Sequence, residues 1–113
     1  MKFERELLKG VAPVAVLEIL SAGEMYGYEL GTAVSRRSGN ILELGKGTLY
    51  PLLYNLEAKG MVKGNWKEMD SGRKRRYYTI TSKGLKFLTQ RKLEWAQLKA
   101  AMNAVMGIVP VLK

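Results

Sequence analysis

The sequence of 113 residues contains neither cysteine nor histidine. Without cysteine the chain cannot form disulfides, and this composition suits a reducing compartment. The two absences together remove the usual metal ligands, the cysteine nucleophile and the commonest general base. The few carboxylates form no close pair in an evident pocket. We therefore do not expect an enzyme, and we expect neither a cofactor nor a bound metal.

Long apolar runs are also missing. No stretch is long and uninterrupted enough to span a bilayer. The first ten residues mix charges with leucine and lack the apolar region and cleavage site of a signal peptide, so we expect a cytoplasmic protein. Hydrophobic residues make up 47% of the chain and charged residues 26%. This balance is typical of one small globular domain with a modest core.

Acidic residues are scarce in the second half of the chain. The sequence has 19 basic and 10 acidic residues, which gives a net charge of +9. Residues 1–58 carry 6 basic and 7 acidic side chains, whereas residues 59–80 carry 7 and 2, and residues 81–113 carry 6 and 1. An excess placed in this way indicates a polyanionic partner, either nucleic acid or a membrane surface.

Hydrophobic periodicity predicts three short helices in the first half. Residues 11–20 are apolar on almost every side, which predicts a buried helix with Pro13 in its first turn. Residues 41–44 are expected to be extended and to lead into a third helix over residues 47–60. The second helix has its apolar positions at Tyr28, Leu30, Ala33 and Val34.

The third helix combines an apolar stripe with an unusual polar face. Leu49, Leu52, Leu53 and Leu56 follow helical spacing. If Thr48 or a neighbour is the N-cap, Pro51 falls in the first turn, where no intrahelical hydrogen bond is lost. Away from the stripe lie Tyr50, Tyr54 and Asn55. The alternative is that the tyrosines pack on neighbouring elements, and we expect this more of Tyr54 than of Tyr50.

The second half reads as a hairpin and a long helix. Residues 61–68 and 74–81 have strand patterns, and residues 69–73 supply a turn around Gly72. Thr81 or Ser82 is expected to cap a last helix that ends near Gly107, with Pro110 beyond it. The predicted fold class is α+β and mostly α. It is a winged helix-turn-helix over residues 1–81 followed by a dimerisation helix over residues 82–113, the two forming one compact unit.

In a winged helix-turn-helix the third helix enters the major groove and the hairpin reaches a neighbouring groove or the backbone. Backbone N–H groups near Gly47 and Thr48 are expected to be free to hold a phosphate oxygen. The four cations of residues 73–76 lie at and just after the turn, although a solvated charge run is the alternative. Arg75 and Arg76 point to opposite faces of a strand, so at most one of them joins Lys74 in facing DNA. The candidate DNA-binding residues are Lys46, Gly47, Thr48, Tyr50, Tyr54, Asn55, Arg73, Lys74 and Arg76.

The last helix has more apolar positions than a small core can cover. Such a helix usually buries them against a second subunit, which predicts a homodimer. Trp95 then has two interpretations: plain packing in the dimer, or a stacking platform for a flat ligand at the dimer centre. The candidate dimerisation residues are Leu88, Trp95, Met102 and Val105.

The segments GTLYPLLYNLEAKGMV (47–62), SGRKRRYYTIT (71–81) and MYGYEL (25–30) resemble the signature of the PadR family of bacterial transcription regulators. The resemblance covers nearly the whole chain and implies a repressor that binds pseudo-palindromic promoter DNA as a homodimer. The chain length and LEWAQLKA (93–100) are similar to a small subgroup that includes multidrug-sensing repressors. In that subgroup the N-terminal and C-terminal helices frame a central pore, where a tryptophan from each subunit sandwiches planar aromatic drugs.

The resemblance therefore implies a ligand site at the dimer interface. Its candidate residues are Trp95, Leu98, Met102, Leu8 and Ala12. The drug-sensing relatives tend to place carboxylates near the pore, whereas here Glu94 stands alone against five basic residues of the last helix. An anionic or neutral aromatic effector is thus at least as plausible as a cationic drug.

Two other function classes fit the sequence less well. A winged-helix module that binds proteins and never meets DNA is the main alternative, but its hairpin and third helix would be neutral or acidic. A protein of the membrane surface would carry its cations on one amphipathic helix, whereas here many of them lie on a hairpin.

Overall fold

Four helices and three short strands make up the part of the chain, residues 3–108, that the computed structural model describes. The predicted Pro110 terminus lies outside these residues. In chain order the elements are α1 (Arg5–Leu20), β1 (Met25–Tyr26), α2 (Gly27–Arg37), α3 (Lys46–Ala58), β2 (Val62–Glu68), β3 (Lys74–Ile80) and α4 (Ser82–Met106).

The strands form one antiparallel sheet in the order β1–β3–β2. In the hairpin Val62 pairs with Ile80 and Glu68 with Lys74, which confirms the predicted strands to within a residue. The two-residue strand β1 was not predicted, because so short a segment has no detectable alternation. It pairs Met25 with Tyr78. The mostly helical winged helix predicted from the sequence is confirmed.

The core lies where α1, α2 and α3 meet the base of the sheet. The leucine stripe of α3 packs inward as predicted, with Leu49, Leu53 and Leu56 buried and Leu52 partly buried. Tyr28, one of the four apolar positions predicted for α2, instead lies on the surface and is 65% exposed. The largest fully buried side chains are Leu17, Leu20, Leu30, Leu53 and Val16.

The start of α3 differs from the prediction. Its N-cap is Gly45 and not Thr48, because the Gly45 carbonyl accepts hydrogen bonds from the N–H groups of Thr48 and Leu49 at 3.0 and 2.8 Å. Pro51 therefore lies inside the helix, beyond the first turn. Its missing N–H frees the carbonyl of Gly47, an exposed residue whose carbonyl water can hydrate.

The same correction applies to α1. The helix begins at Arg5, ahead of the predicted residue 11, and Pro13 lies in its interior. Here the freed carbonyl belongs to Lys9, which is also exposed. The first half of this helix is mostly exposed, so buried apolar periodicity does not indicate where the helix starts.

Helix α4 is anchored to the domain at its N-terminus and then leaves it. The Thr81 hydroxyl accepts from the N–H of Gly84 (3.1 Å) and donates to the carbonyl of Gly60 (2.7 Å), which confirms the predicted cap. The helix ends at Gly107, whose φ of 72° is left-handed. From residue 89 to residue 108 every side chain except that of Asn103 is exposed. Within residues 3–108 no helix is both long and apolar enough to cross a membrane.

Candidate nucleic-acid interface

The outer face of α3 exposes the residues that the sequence places opposite the leucines. Tyr54 is 77% exposed and Tyr50 is 42% exposed. Asn55, Lys46 and Thr48 are exposed as well. The inner leucines fix the helix to the core, so this face is held rigidly outward, as a helix that enters a groove requires.

Tyr50 rather than Tyr54 is the tyrosine that packs on a neighbour, the reverse of the order expected from the sequence. Its ring lies over Gly27 at the start of α2. A Cβ atom at that position would be 2.8 Å from the Cε1 atom of Tyr50. The glycine thus provides the space in which the ring of Tyr50 is seated.

The first turn of α3 offers fewer free backbone donors than expected. The N–H of Thr48 is already bonded to Gly45, so Thr48 does not provide a free N–H. Lys46 and Gly47 occupy the first two helical positions, whose N–H groups have no intrahelical acceptor. Any phosphate role of this turn therefore rests on these two residues and on the helix dipole.

A groove of about 550 Å³ runs between α2 and the start of α3. Its lining includes Tyr28 and Arg36 from α2 together with Lys46 and Tyr50 from α3. The sequence did not single out Tyr28 or Arg36 as site residues. The signal was present in the helical spacing of Tyr28, Thr32 and Arg36, which places them on one face of α2.

The turn of the hairpin presents cations at its tip. Met69 and Arg73 close the turn through an N–H···O bond of 2.7 Å, and Gly72 takes a left-handed φ of 85°. Arg73 and Lys74 are exposed, and neither forms an ion pair with a residue in the described range 3–108. Both are thus free to meet a phosphate.

The next two cations diverge, as the strand alternation predicts. The guanidinium of Arg75 lies 4.5 Å from the ring of Tyr26 on the outer face of the sheet. Arg76 points to the other face, where its Nη2 atom lies 2.6 Å from Oε2 of Glu57. Arg76 shares a face with Lys74, but its charge is already paired with a carboxylate of α3.

The candidate ligand and dimer residues fall into separate places within one chain. Trp95, Leu98, Met102 and Val105 are exposed along α4. Leu8 and Ala12 instead line a cavity of about 830 Å³ between α1 and α3, to which α4 of the same chain contributes no residue. Leu88 is only 4% exposed and packs in the core of its own chain, so it is not available to a partner.

The charged side chains just before Trp95 in α4 form ion pairs. Glu94 accepts hydrogen bonds from Gln90 and from Arg91 (2.6 Å), and these bonds lower the pKa of its carboxyl group. Lys92 reaches across to Glu18 of α1 at 2.8 Å. Across residues 3–108, no cluster of three or more carboxylate or other metal-ligating side chains is positioned to hold a metal ion.

Comparison with known proteins agrees with this geometry. The profile of the transcriptional regulator PadR-like family matches residues 16–90, from the last third of α1 to the first third of α4. The chain belongs to the PadR family.

Among solved structures, a PadR-like transcriptional regulator from Bacillus cereus is 35% identical, with a TM-score of 0.75 over 89% of this chain and 96% of that one. A transcriptional regulator from Clostridium thermocellum is 28% identical, with a TM-score of 0.81 over 88% and 96% of the two chains. The transcriptional regulator Rv3488 of Mycobacterium tuberculosis is 33% identical over 86 residues, which are 76% of this chain and 77% of that protein.

PadR proteins are DNA-binding transcriptional regulators and not enzymes. The exposed face of α3 and the β2–β3 hairpin (the wing) thus belong to a chain of this family.

Proposed function

We propose that this PadR protein is a cytoplasmic repressor that binds a pseudo-palindromic promoter site as a homodimer. The observation that carries the proposal is the combination of an exposed polar and aromatic face on α3 with unpaired cations at the wing tip. Both features belong to elements that the core holds in place. In this arrangement α3 reads base edges and the wing contacts phosphates.

Roles follow from where each side chain lies. Lys46, Tyr54 and Asn55 are exposed on α3, and we assign them to the major groove. Arg73 and Lys74 are assigned to the phosphate backbone, since flexible cations at a turn suit phosphate better than base edges. Tyr50 joins the groove set through the part of its ring that Gly27 leaves exposed.

The homodimer is supported by the apolar side chains that α4 leaves uncovered. Trp95, Leu98 and Val105 are 53%, 55% and 80% exposed in the single chain. Monomeric proteins rarely expose a continuous apolar stripe of this length. A two-fold axis through α4 would pair the stripe with its own copy and set two recognition helices on one face.

The proposed effector is a planar aromatic molecule, anionic or neutral, bound near Trp95. Leu8 and Ala12 lie on α1 and would have to meet α4 of the second chain to complete such a site. Cations outnumber carboxylates along α4, which favours an anion over a cation. The effector releases DNA only to the extent that it binds more tightly to the dimer arrangement that does not fit the operator.

A gel shift tests the DNA half of the proposal. The probe is the promoter fragment upstream of the protein's own gene, and the control is a shuffled fragment of the same composition. We expect a discrete complex with the promoter at protein concentrations where the shuffled DNA stays free. Equal binding to both fragments would exclude sequence-specific repression.

Sedimentation equilibrium tests the dimer. Leu98→Glu puts a carboxylate into the apolar stripe of α4 and should give monomers at concentrations where the parent is dimeric. Lys99→Glu adds the same group one position along, where the parent already has a charge, and should leave the dimer intact. A Leu98→Glu protein that stays dimeric would contradict the proposed interface.

Fluorescence titration tests the effector site. Planar anionic and cationic dyes are titrated into the parent and into Trp95→Ala, in which Trp66 still emits. We expect quenching in the parent, stronger for the anionic dyes, and its loss in the variant. Quenching that persists unchanged without Trp95 would rule out stacking on this side chain.

A further inference from the structure

We propose that Arg76 is a positioning residue that fixes the wing to the recognition helix α3 and makes no contact with DNA. It acts through its ion pair with Glu57. The inference rests on the proposed DNA-binding function, because the position of the wing matters through the DNA that it meets. Arg76 then has a different role from Arg73 and Lys74, although all three belong to the same run of cations in the sequence.

The ion pair joins the two elements that face DNA. Arg76 lies in the middle of β3, and Glu57 lies in the last turn of α3. Their closest atoms, Nη2 and Oε2, are 2.6 Å apart, and the side chains are only 30% and 32% exposed. A short charge-assisted bond that is partly shielded from water is stronger than a typical surface ion pair.

The guanidinium of Arg76 also packs on the sheet against Trp66, Tyr78 and Gly64, which together form its seat. It lies 5.4 Å from the ring of Trp66 and 5.9 Å from the ring of Tyr78, within the range of cation–π attraction. Below it is Gly64, where a Cβ atom would come within 2.7 Å of the guanidinium carbon.

Gly64 provides space for the guanidinium and is not needed for its backbone conformation, because it is not among the glycines with positive φ. Alanine at this position therefore needs no left-handed backbone, and the three atoms nearest to its Cβ all belong to the guanidinium of Arg76. Gly64→Ala therefore tests the position of the guanidinium separately from the charges of the ion pair, since it keeps both Arg76 and Glu57.

Loss of the pair should loosen the wing. Between α3 and the wing the chain has only residues 59–61, and in the outer half of the hairpin every residue of β2 from Asn65 to Glu68 is exposed. A wing that is free to move must be ordered when DNA binds, and this cost lowers affinity. No phosphate contact is lost in the process, so the dependence of affinity on salt should not change.

The experiment measures affinity for the promoter fragment by fluorescence anisotropy at several salt concentrations. The variants are Glu57→Gln, Arg76→Gln, their double mutant, and Gly64→Ala. Glu68→Gln is the matched control, because it removes a carboxylate that has no ion-pair partner within residues 3–108. Thermal unfolding shows that each variant is folded at the assay temperature.

We expect Glu57→Gln to weaken binding about three- to tenfold, in the range usual for coupled contacting residues, although it removes a negative charge near DNA. Arg76→Gln should have a similar effect with an unchanged salt slope, and the double mutant should add little to either. Gly64→Ala should also weaken binding. Glu68→Gln should leave affinity unchanged or raise it.

If Arg76 instead contacts a phosphate, the effect of Glu57→Gln on affinity and the salt slope of Arg76→Gln both differ from these expectations. Glu57→Gln would then leave affinity unchanged or raise it, and Arg76→Gln would lower the salt slope by about 0.9, the value for one phosphate contact. Either outcome overturns the proposal.

A DNA-independent readout keeps this test separate from the proposed function. The indole N–H resonance of Trp66, assigned with the help of Trp95→Phe, should shift in Glu57→Gln, because Arg76 leaves its seat beside the ring. If the parent does not distinguish promoter from shuffled DNA, the proposed function fails and this resonance still reports the linkage. A Trp66 resonance that does not move in Glu57→Gln and Gly64→Ala would refute the linkage itself.

Discussion

Replacing Gly84 with alanine should destabilise the protein at the joint between α4 and the winged domain. A Cβ atom on residue 84 would lie 2.8 Å from Cγ1 of Ile80 and closer still to the carbonyl oxygen of Met61. The Met61 carbonyl belongs to the backbone and accepts the N–H of Thr81 at 3.0 Å, so it cannot rotate away. The helix must move instead, and with it the cap that Thr81 provides.

The magnitude follows from two opposing contributions. Forcing a methyl group into a packed contact costs about 1–3 kcal/mol, and a fixed backbone atom places this case at the upper end. Alanine is a better helix former than glycine by about 1 kcal/mol, which offsets part of the cost. The expected net loss is about 2 kcal/mol of unfolding free energy, or a decrease in Tm of about 8 °C for a domain of this size.

Thermal unfolding followed by circular dichroism at 222 nm, a standard helix signal, measures this loss. Gly10→Ala is the control, because Gly10 also lies inside a helix but a Cβ there would meet nothing within 4 Å. It should raise Tm by a few degrees through helix propensity alone. A Gly84→Ala protein as stable as Gly10→Ala would refute the close packing of α4 on the backbone of Met61.

Three further predictions concern single contacts. Thr81→Ala should cost about 1 kcal/mol of stability in chemical denaturation, and Thr81→Ser should restore most of it, since the hydroxyl caps α4. Gly27→Ala should weaken promoter binding about threefold by displacing the ring of Tyr50, and should have no further effect in a Tyr50→Ala background. Burial raises the pKa of Tyr78 above its ordinary value of 10.0. The stability gained from burying the neutral phenol is thus present below pH 10 and lost as pH rises through the folded-state pKa, so Tyr78→Phe should lose less stability than the parent in alkaline denaturation.

The elements with strong periodicity could be predicted from the sequence. The leucines of α3 and the hairpin around Gly72 each carry a local signal that tertiary packing does not override. The start of α4 was predictable from the capping side chain of Thr81. The N-cap of α3 could not be predicted, because Gly45 caps it through its backbone alone. Thr48 has the side chain of a good N-cap, which made it the natural but wrong choice.

The residues of the candidate site could be predicted from the sequence, but the contacts between their side chains could not. The charge run over residues 73–76 identifies the wing, and strand alternation separates Arg75 from Arg76. That Arg76 meets Glu57, 19 residues earlier, depends on how the sheet packs on α3, and no local pattern encodes it. In the same way, the packing of Tyr50 over Gly27 depends on where α2 crosses α3.

The most direct test of the account is a hydroxyl-radical footprint of the protein on the promoter of its own gene. Two recognition helices related by a dimer axis should protect two patches of backbone about one helical turn of roughly 10 base pairs apart, or a multiple of it, with two-fold symmetry. A single protected patch, or uniform weak protection along the fragment, would contradict binding as a symmetric dimer through α3 and the wing.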